Sequence, residues 1–255
     1  MTEMNILYIS AFCSARLQGV LSDGGRRDPG YAVHKFNRLM MNGLQCNGVA
    51  VQALSVIPTS PSRSKRKLWD EGSEEDNGIK VKYVPFLNVK GVRQVCVFLY
   101  SFFYVLFWSI RKKGSKWLVC DALNISQNMG ALLASKVSGL KSVGILTDMP
   151  GLMVTQVKGS FKTKALALSN KSFMSMYSGF VFLTEQMNGV INKRNRPYIV
   201  MEGMVDNTLK VDDSILVKRP SRIVMYAGGL HEKYGLKMLV DGFLSLPQRD
   251  VSLYI

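Results

Sequence analysis

Cysteine and histidine are scarce in this chain: four cysteines (Cys13, Cys46, Cys96, Cys120) and two histidines (His34, His231) in 255 residues. No two cysteines form a CxxC pair, so a zinc site or a disulfide framework has little to draw on, and no metal is expected. The thiols read as the reduced cysteines of a cytosolic protein. There is no GxGxxG fingerprint and no Walker lysine motif, which argues against a classical dinucleotide site and a P-loop. No Ser/His/Asp or Cys/His set falls at loop positions. Signal-peptide character is lacking too, because MTEMNILYIS carries an acid where a basic leader would stand. No basic run is interleaved with aromatics, so nucleic acid is not expected as a partner.

Basic charge is abundant. The formal charge is +15, from 33 Lys and Arg against 18 Asp and Glu, a balance that favours anionic partners such as nucleotide phosphates or acidic lipid. With 47% hydrophobic and 20% charged residues, the chain is globular. Short apolar runs suited to buried parallel strands lie at Asn5–Ser10, Val49–Val56, Ile79–Val84, Trp117–Cys120, Ser142–Thr147, Gly179–Leu183 and Tyr198–Met201. Helical patterns at Tyr31–Leu44, Gly91–Lys113, Gln127–Ser138, Phe161–Met176 and Glu185–Asn192 alternate with them. Alternation with short connections predicts a doubly wound α/β lobe. Arg16–Gly30 reads as a Gly/Pro-rich loop, and Thr59–Gly78, basic first and then acidic, as a mobile surface loop. Residues 208–220 read as a linker. Beyond it, a strand at Ile223–Ala227, a turn at Gly228-Gly229, a helix at Gly235–Leu246 and a strand at Val251–Ile255 read as the opening β-α-β of a second lobe.

Val95–Ile110 holds 16 residues without a charge, followed by Arg111-Lys112-Lys113. It is shorter than the about 20 residues of a membrane span. Its aromatics (Phe98, Tyr100, Phe102, Phe103, Tyr104, Phe107, Trp108) suit a helix lying in the interface of an acidic membrane over 95–113. A helix buried in the lobe remains the competing reading.

Ligands of doubly wound sheets sit outside the carboxyl ends of the strands. The residues that follow the strands are therefore the site candidates: Gly24, Gly25 and Gly30, then Asp148, Thr184, Glu202, and Gly228, Gly229 and Lys233. Bare glycine N–H groups and an ammonium near a helix start can hold a diphosphate. Each candidate has a plainer reading. Gly24-Gly25 can be a simple turn, Asp148 a turn-former, Thr184 a helix cap, Glu202-Gly203 a chain reversal and His231 an exposed imidazole. His34 reads as structural.

Val224-Met225-Tyr226-Ala227-Gly228-Gly229-Leu230, with Lys233 and Gly235-Leu236, resembles the start of the second lobe of glycosyltransferase family 4 (group 1, GT-B). Phe182-Leu183-Thr184-Glu185 and Ile199–Asp206 resemble the end of its first lobe. The resemblance implies an acceptor-side Rossmann-like lobe at 1–207, a linker at 208–220 and a nucleotide-sugar lobe beginning at 221–255. It implies metal-independent sugar transfer with retention, from a nucleoside-diphosphate sugar to a lipid-linked or polysaccharide acceptor. No cofactor is needed, and the place is the inner face of the cell membrane. Gly228, Gly229 and Lys233 would hold the donor diphosphate. Gly24, Gly25 and Gly30 would line the cleft, with Asp148, Thr184 and Glu202 near the substrates. Gly229 stands where many members have arginine, and Lys233 lies one place earlier than the usual lysine. The family's two glutamates eight apart do not occur in this sequence. Little or no activity is expected of this stretch alone, and a non-catalytic, membrane-associated or partner-binding remnant is the alternative.

Overall fold

The computed structural model describes residues 4–22, 31–122, 124–149, 173–206, 222–228, 230, 232–247 and 250–255. The chain divides into two compact units, 1–206 and 207–255, which are taken here one at a time.

The first unit is built on an eight-stranded sheet. Its strands are β1 (Met4–Ser10), β2 (Ala50–Ser55), β4 (Ser73–Asp76), β5 (Ile79–Tyr83), β7 (Ser115–Asp121), β8 (Lys141–Leu146), β9 (Gly179–Phe182) and β10 (Tyr198–Val200). Their spatial order is β10-β9-β8-β7-β1-β2-β5-β4, all parallel except the edge pair β4–β5. The inner strands are continuous apolar runs because helices cover the sheet. Leu7 and Ile9 of β1, Leu54 of β2, Val81 of β5 and Leu118 of β7 are fully buried. Each such side chain contributes about 1.5–3 kcal/mol by leaving water.

The helices are α1 (Ala15–Ser22), α2 (Tyr31–Cys46), α3 (Val92–Arg111), α4 (Ile125–Ser138) and α5 (Glu185–Ile191). Helices α3 and α4 pack side by side, and Gly130 makes the close approach possible. A Cβ there would lie 2.2 Å from the Phe98 carbonyl oxygen. Gly139 ends α4 in the left-handed conformation, φ 70°.

Two expectations need correction. The region expected as a loop from Arg16 begins with helix α1. Ser14 precedes it as an N-cap: its Oγ accepts from the Leu17 N–H at 3.3 Å and its carbonyl from the Gln18 N–H at 2.9 Å. Residues 23–30 lie outside the described residues. The polar stretch Thr59–Gly78, expected as a mobile loop, contains two strands. β3 (Leu68–Trp69) pairs antiparallel with β6 (Phe86–Leu87), and Trp69 is buried under the Arg66 guanidinium. β4 pairs with β5 through a two-residue hairpin at Asn77-Gly78, both at positive φ (50° and 78°). Those are the angles that an Asn-Gly hairpin turn requires. The acids of β4 also blunt an otherwise open sheet edge.

The helix expected at Phe161–Met176 is described only at its last residues, and the linker 208–220 lies outside the described residues. In the second unit, β11 (Arg222–Met225) and β12 (Val251–Tyr254) pair in parallel, Arg222 opposite Val251, with α6 (Leu236–Leu244) between them. That is a β-α-β unit.

Candidate functional site

In the first unit the chain winds from β1 outward through β2 and β5, and then returns to build β7, β8, β9 and β10 on the other side. The direction reverses between β1 and β7. The crevice outside their carboxyl ends is where doubly wound sheets bind ligands. Asp121 closes β7 there and is only 6% exposed. The Asn37 amide of α2 donates to Asp121 Oδ2 at 3.1 Å and to the Val33 carbonyl at 2.9 Å. Asn37 Oδ1 in turn accepts from the Tyr8 hydroxyl at 2.8 Å. The Asn128 amide of α4 donates to the Asp121 backbone carbonyl at 2.6 Å. Burial, then the Asp121 charge, pushes the Tyr8 phenol well up, so Tyr8 stays a donor. Beside this network the Cys13 N–H donates to His34 Nδ1 at 3.2 Å, so a neutral His34 carries its proton on Nε2. Four elements (β1, α2, α4 and β7) thus meet around Asp121, whose buried carboxylate accepts from the Asn37 amide that Tyr8 orients.

A second cluster anchors the start of α1. The Tyr83 hydroxyl, at the carboxyl end of β5, donates to Glu74 and accepts from the Ser14 N–H at 3.2 Å. Arg16 Nε lies 3.0 Å from Glu74 Oε2, and Glu71 pairs with Arg66 at 2.7 Å. Burial raises the Glu74 carboxyl, but hydrogen bonds from Ser14, Tyr83 and Arg16 outweigh it and leave the group below its ordinary value. Burial and the Glu74 bond push Tyr83 far up. These contacts tie the segment that leads into residues 23–30 to the sheet.

Of the residues singled out from the sequence, Gly24, Gly25, Gly30 and Gly229 lie outside the described residues, as does His231. Asp148 is exposed, just beyond β8. Thr184 stands at the N-cap position of α5 in extended conformation (φ −139°, ψ 152°) with no side-chain cap hydrogen bond. Glu202 is exposed beyond β10. The three follow the adjacent strands β8, β9 and β10, on one wing of the carboxyl edge. Gly228 follows β11 in the second unit, and a Cβ at that position would lie 2.6 Å from the Tyr226 hydroxyl oxygen. Lys233 falls in a short 3₁₀ turn, Glu232–Tyr234, which separates the glycine turn from α6. Gly235 caps α6 at φ 73°. Among the described residues no group of three His, Cys, Asp or Glu could hold a metal ion.

Asp121 and Asn37 were not singled out from the sequence. A signal existed for Asp121: it is an ionisable residue that ends an otherwise apolar strand run, Trp117-Leu118-Val119-Cys120. Asn37 carried none, because a polar residue within an amphipathic helix looks like any exposed one.

No protein-family profile matches the chain, and no curated protein does. Among solved structures the chain is similar to the sucrose-phosphate synthase of Thermosynechococcus elongatus, with a TM-score of 0.58 at 12% identity. The match covers 98% of this chain and 62% of that one, so the chain spans about three fifths of that enzyme's length. At this identity the likeness speaks of the fold, and the fold is α/β of GT-B type: a Rossmann-like lobe followed by the first β-α-β of a second.

Proposed function

We propose that this chain belongs to a glycosyltransferase that uses a nucleoside-diphosphate sugar and acts, with retention, on a lipid-linked or polysaccharide acceptor. The reaction takes place at the cytoplasmic face of the cell membrane. The observation that carries this reading is the extent of the fold likeness: 98% of the chain, both lobes included, follows a GT-B enzyme. The family resemblance at Gly228-Gly229 and the excess of basic charge support it.

In this reading the second lobe holds the leaving diphosphate. Backbone N–H groups at Gly228 and Gly229 approach the phosphates because neither residue carries a side chain of its own. Lys233 balances the charge that grows as the glycosidic bond to the diphosphate breaks, a large part of the catalytic work in such transfers. By the family resemblance Gly24, Gly25 and Gly30 belong to the ligand side of the first lobe, and Asp148, Thr184 and Glu202 supply polar contacts to the sugar or acceptor. Asp121 is a positioning residue, holding α2 and α4 against the carboxyl edge.

Titration calorimetry of the chain against a panel of nucleoside diphosphates tests the reading. Heat is expected with at least one of them, and Lys233→Ala should weaken that binding about tenfold, the usual worth of one charge-assisted contact. No heat with any of the panel would overturn it.

A further inference from the structure

Helix α3 is neither wholly buried nor simply amphipathic. Val97, Ser101, Val105 and Trp108 are buried, and Trp108 bonds to Gln52 of β2. Val95, Leu99, Phe103 and Phe107 form an i, i+4 row on another side and are about half exposed, and Ile110 is 70% exposed. The neighbouring helix α4 carries a second such row, Met129, Leu133 and Val137, exposed to 40%, 43% and 65%. The two helices touch where Gly130 meets Phe98. With about 100° per residue, both exposed rows lie beside that line of contact. They make one apolar face across two helices, larger than scattered surface hydrophobics produce.

Basic charge gathers at one end of this face, while Asp70 lies near enough to Tyr100 of α3 to act on it. Neither α3 nor α4 contains an acid. Arg111, Lys112 and Lys113 follow the α3 row, Lys136 lies in the last turn of α4, and Lys116 and Lys141 open β7 and β8. All six lie at the amino-terminal edge of the sheet. The helix runs the full depth of the lobe, since Arg93 reaches the Ile57 carbonyl beyond β2 and Asn5 reaches the Lys113 carbonyl. At the basic end is a recess of about 510 Å³ lined by Gln52, Tyr104, Phe107, Trp108, Arg111 and Lys112. Inside it the Trp108 indole donates to Gln52 Oε1 at 3.1 Å, and the Gln52 amide donates to the Tyr104 hydroxyl at 2.8 Å. That leaves the Tyr104 proton to donate elsewhere. The Arg111 guanidinium lies 5.9 Å from the Phe107 ring centre. The recess therefore offers two cations and one O–H donor over aromatic walls.

We propose that the α3–α4 face lies flat on an anionic bilayer, its exposed aromatics in the boundary between headgroups and acyl chains. One lipid phosphate sits in the recess between Arg111, Lys112 and Tyr104. Apolar area and basic charge on one face are the combination that holds a peripheral protein on acidic lipid. By length and composition α3 could also cross a membrane. Its buried row from Val97 to Trp108, its packing on α4 and the Trp108–Gln52 bond tie it to the lobe, so it lies along the surface instead of passing through. The proposal deepens the reading given above, naming the surface that would bring a lipid-linked acceptor to the carboxyl edge, and it rests on that reading only for the acceptor.

The test sediments the intact chain with phosphatidylcholine vesicles and with vesicles in which phosphatidylserine replaces part of it. Binding to the acidic vesicles alone is expected, weakening as salt rises. Phe103→Glu and, on the second helix, Leu133→Glu should each lower it about tenfold or more. Arg111→Gln together with Lys112→Gln should lower it about 30-fold, two charges at the lipid surface. Lys80→Gln on β5 should leave it unchanged, and circular dichroism melts confirm that each variant is folded. Equal recovery with neutral and acidic vesicles, or none with either, would overturn the proposal. So would full competition by inorganic phosphate, which would assign the recess to a free anion. A dimer in light scattering that Phe103→Glu dissociates, without vesicle binding, would assign the face to a second copy and overturn it too. No nucleotide enters this experiment, and no lipid enters the calorimetry, so either reading can fail alone.

Discussion

Gly130 and Glu74 show how single residues carry the fold. At Gly130 the backbone of α3 stands where a side chain would be, so Gly130→Ala must push two packed helices apart. The expected loss is about 1–3 kcal/mol in denaturant unfolding, the range for overpacked cores. Glu74 is held below its ordinary value, which fixes the sign of its pH effect. A depressed carboxyl stabilises the fold above its unfolded pKa, about 4.3, and that contribution is lost as pH falls through the lower folded value. Stability measured from pH 7 downward should therefore decline in that acid window, and Glu74→Gln should flatten the decline. At this scale the sequence was a partial guide. Asp121 could have been found as the acid at the end of an apolar strand. The pairing of Tyr8, Asn37 and Asp121 could not, because it joins residues up to 113 positions apart through the fold (121 − 8).

The elements were more legible than the contacts. The parallel strands emerged close to their observed bounds because buried strands are short apolar runs with polar ends. β4 was missed although Asn77-Gly78 is a strong hairpin signal; its acids made Ser73–Asp76 look like a solvated loop. Helix α1 was missed because the glycines and proline of the next ten residues dominated the reading of that stretch. Two glycines make the same point in reverse. Gly78 sits at φ 78° in the hairpin, whereas Gly189 lies inside α5 with open space around its Cα. Gly78→Ala should lower stability by about 1 kcal/mol through backbone strain. Gly189→Ala should raise it by about 0.5–1 kcal/mol through helix propensity. Thermal melts of the pair would check both signs. For α3 the sequence left an interfacial and a buried helix as competing readings; one row of it is buried and another is exposed, so it is not the fully buried helix of the second reading.

Over the whole molecule, the order of strands and helices carries the GT-B-type fold, while the proposed chemistry rests on few positions. Most of those positions are glycines, whose contribution is what they leave open, so their sequence signal is weak. The central claim is that the glycine turn after β11 receives a nucleoside diphosphate. Hydrogen–deuterium exchange of the intact chain, with and without each of several nucleoside diphosphates, tests it most directly. The account predicts that amides between 226 and 236 exchange more slowly in the presence of one of them, and that Lys233→Ala abolishes the change. Unchanged exchange at 226–236 with every nucleoside diphosphate, or slowing confined to residues 4–206, would contradict it.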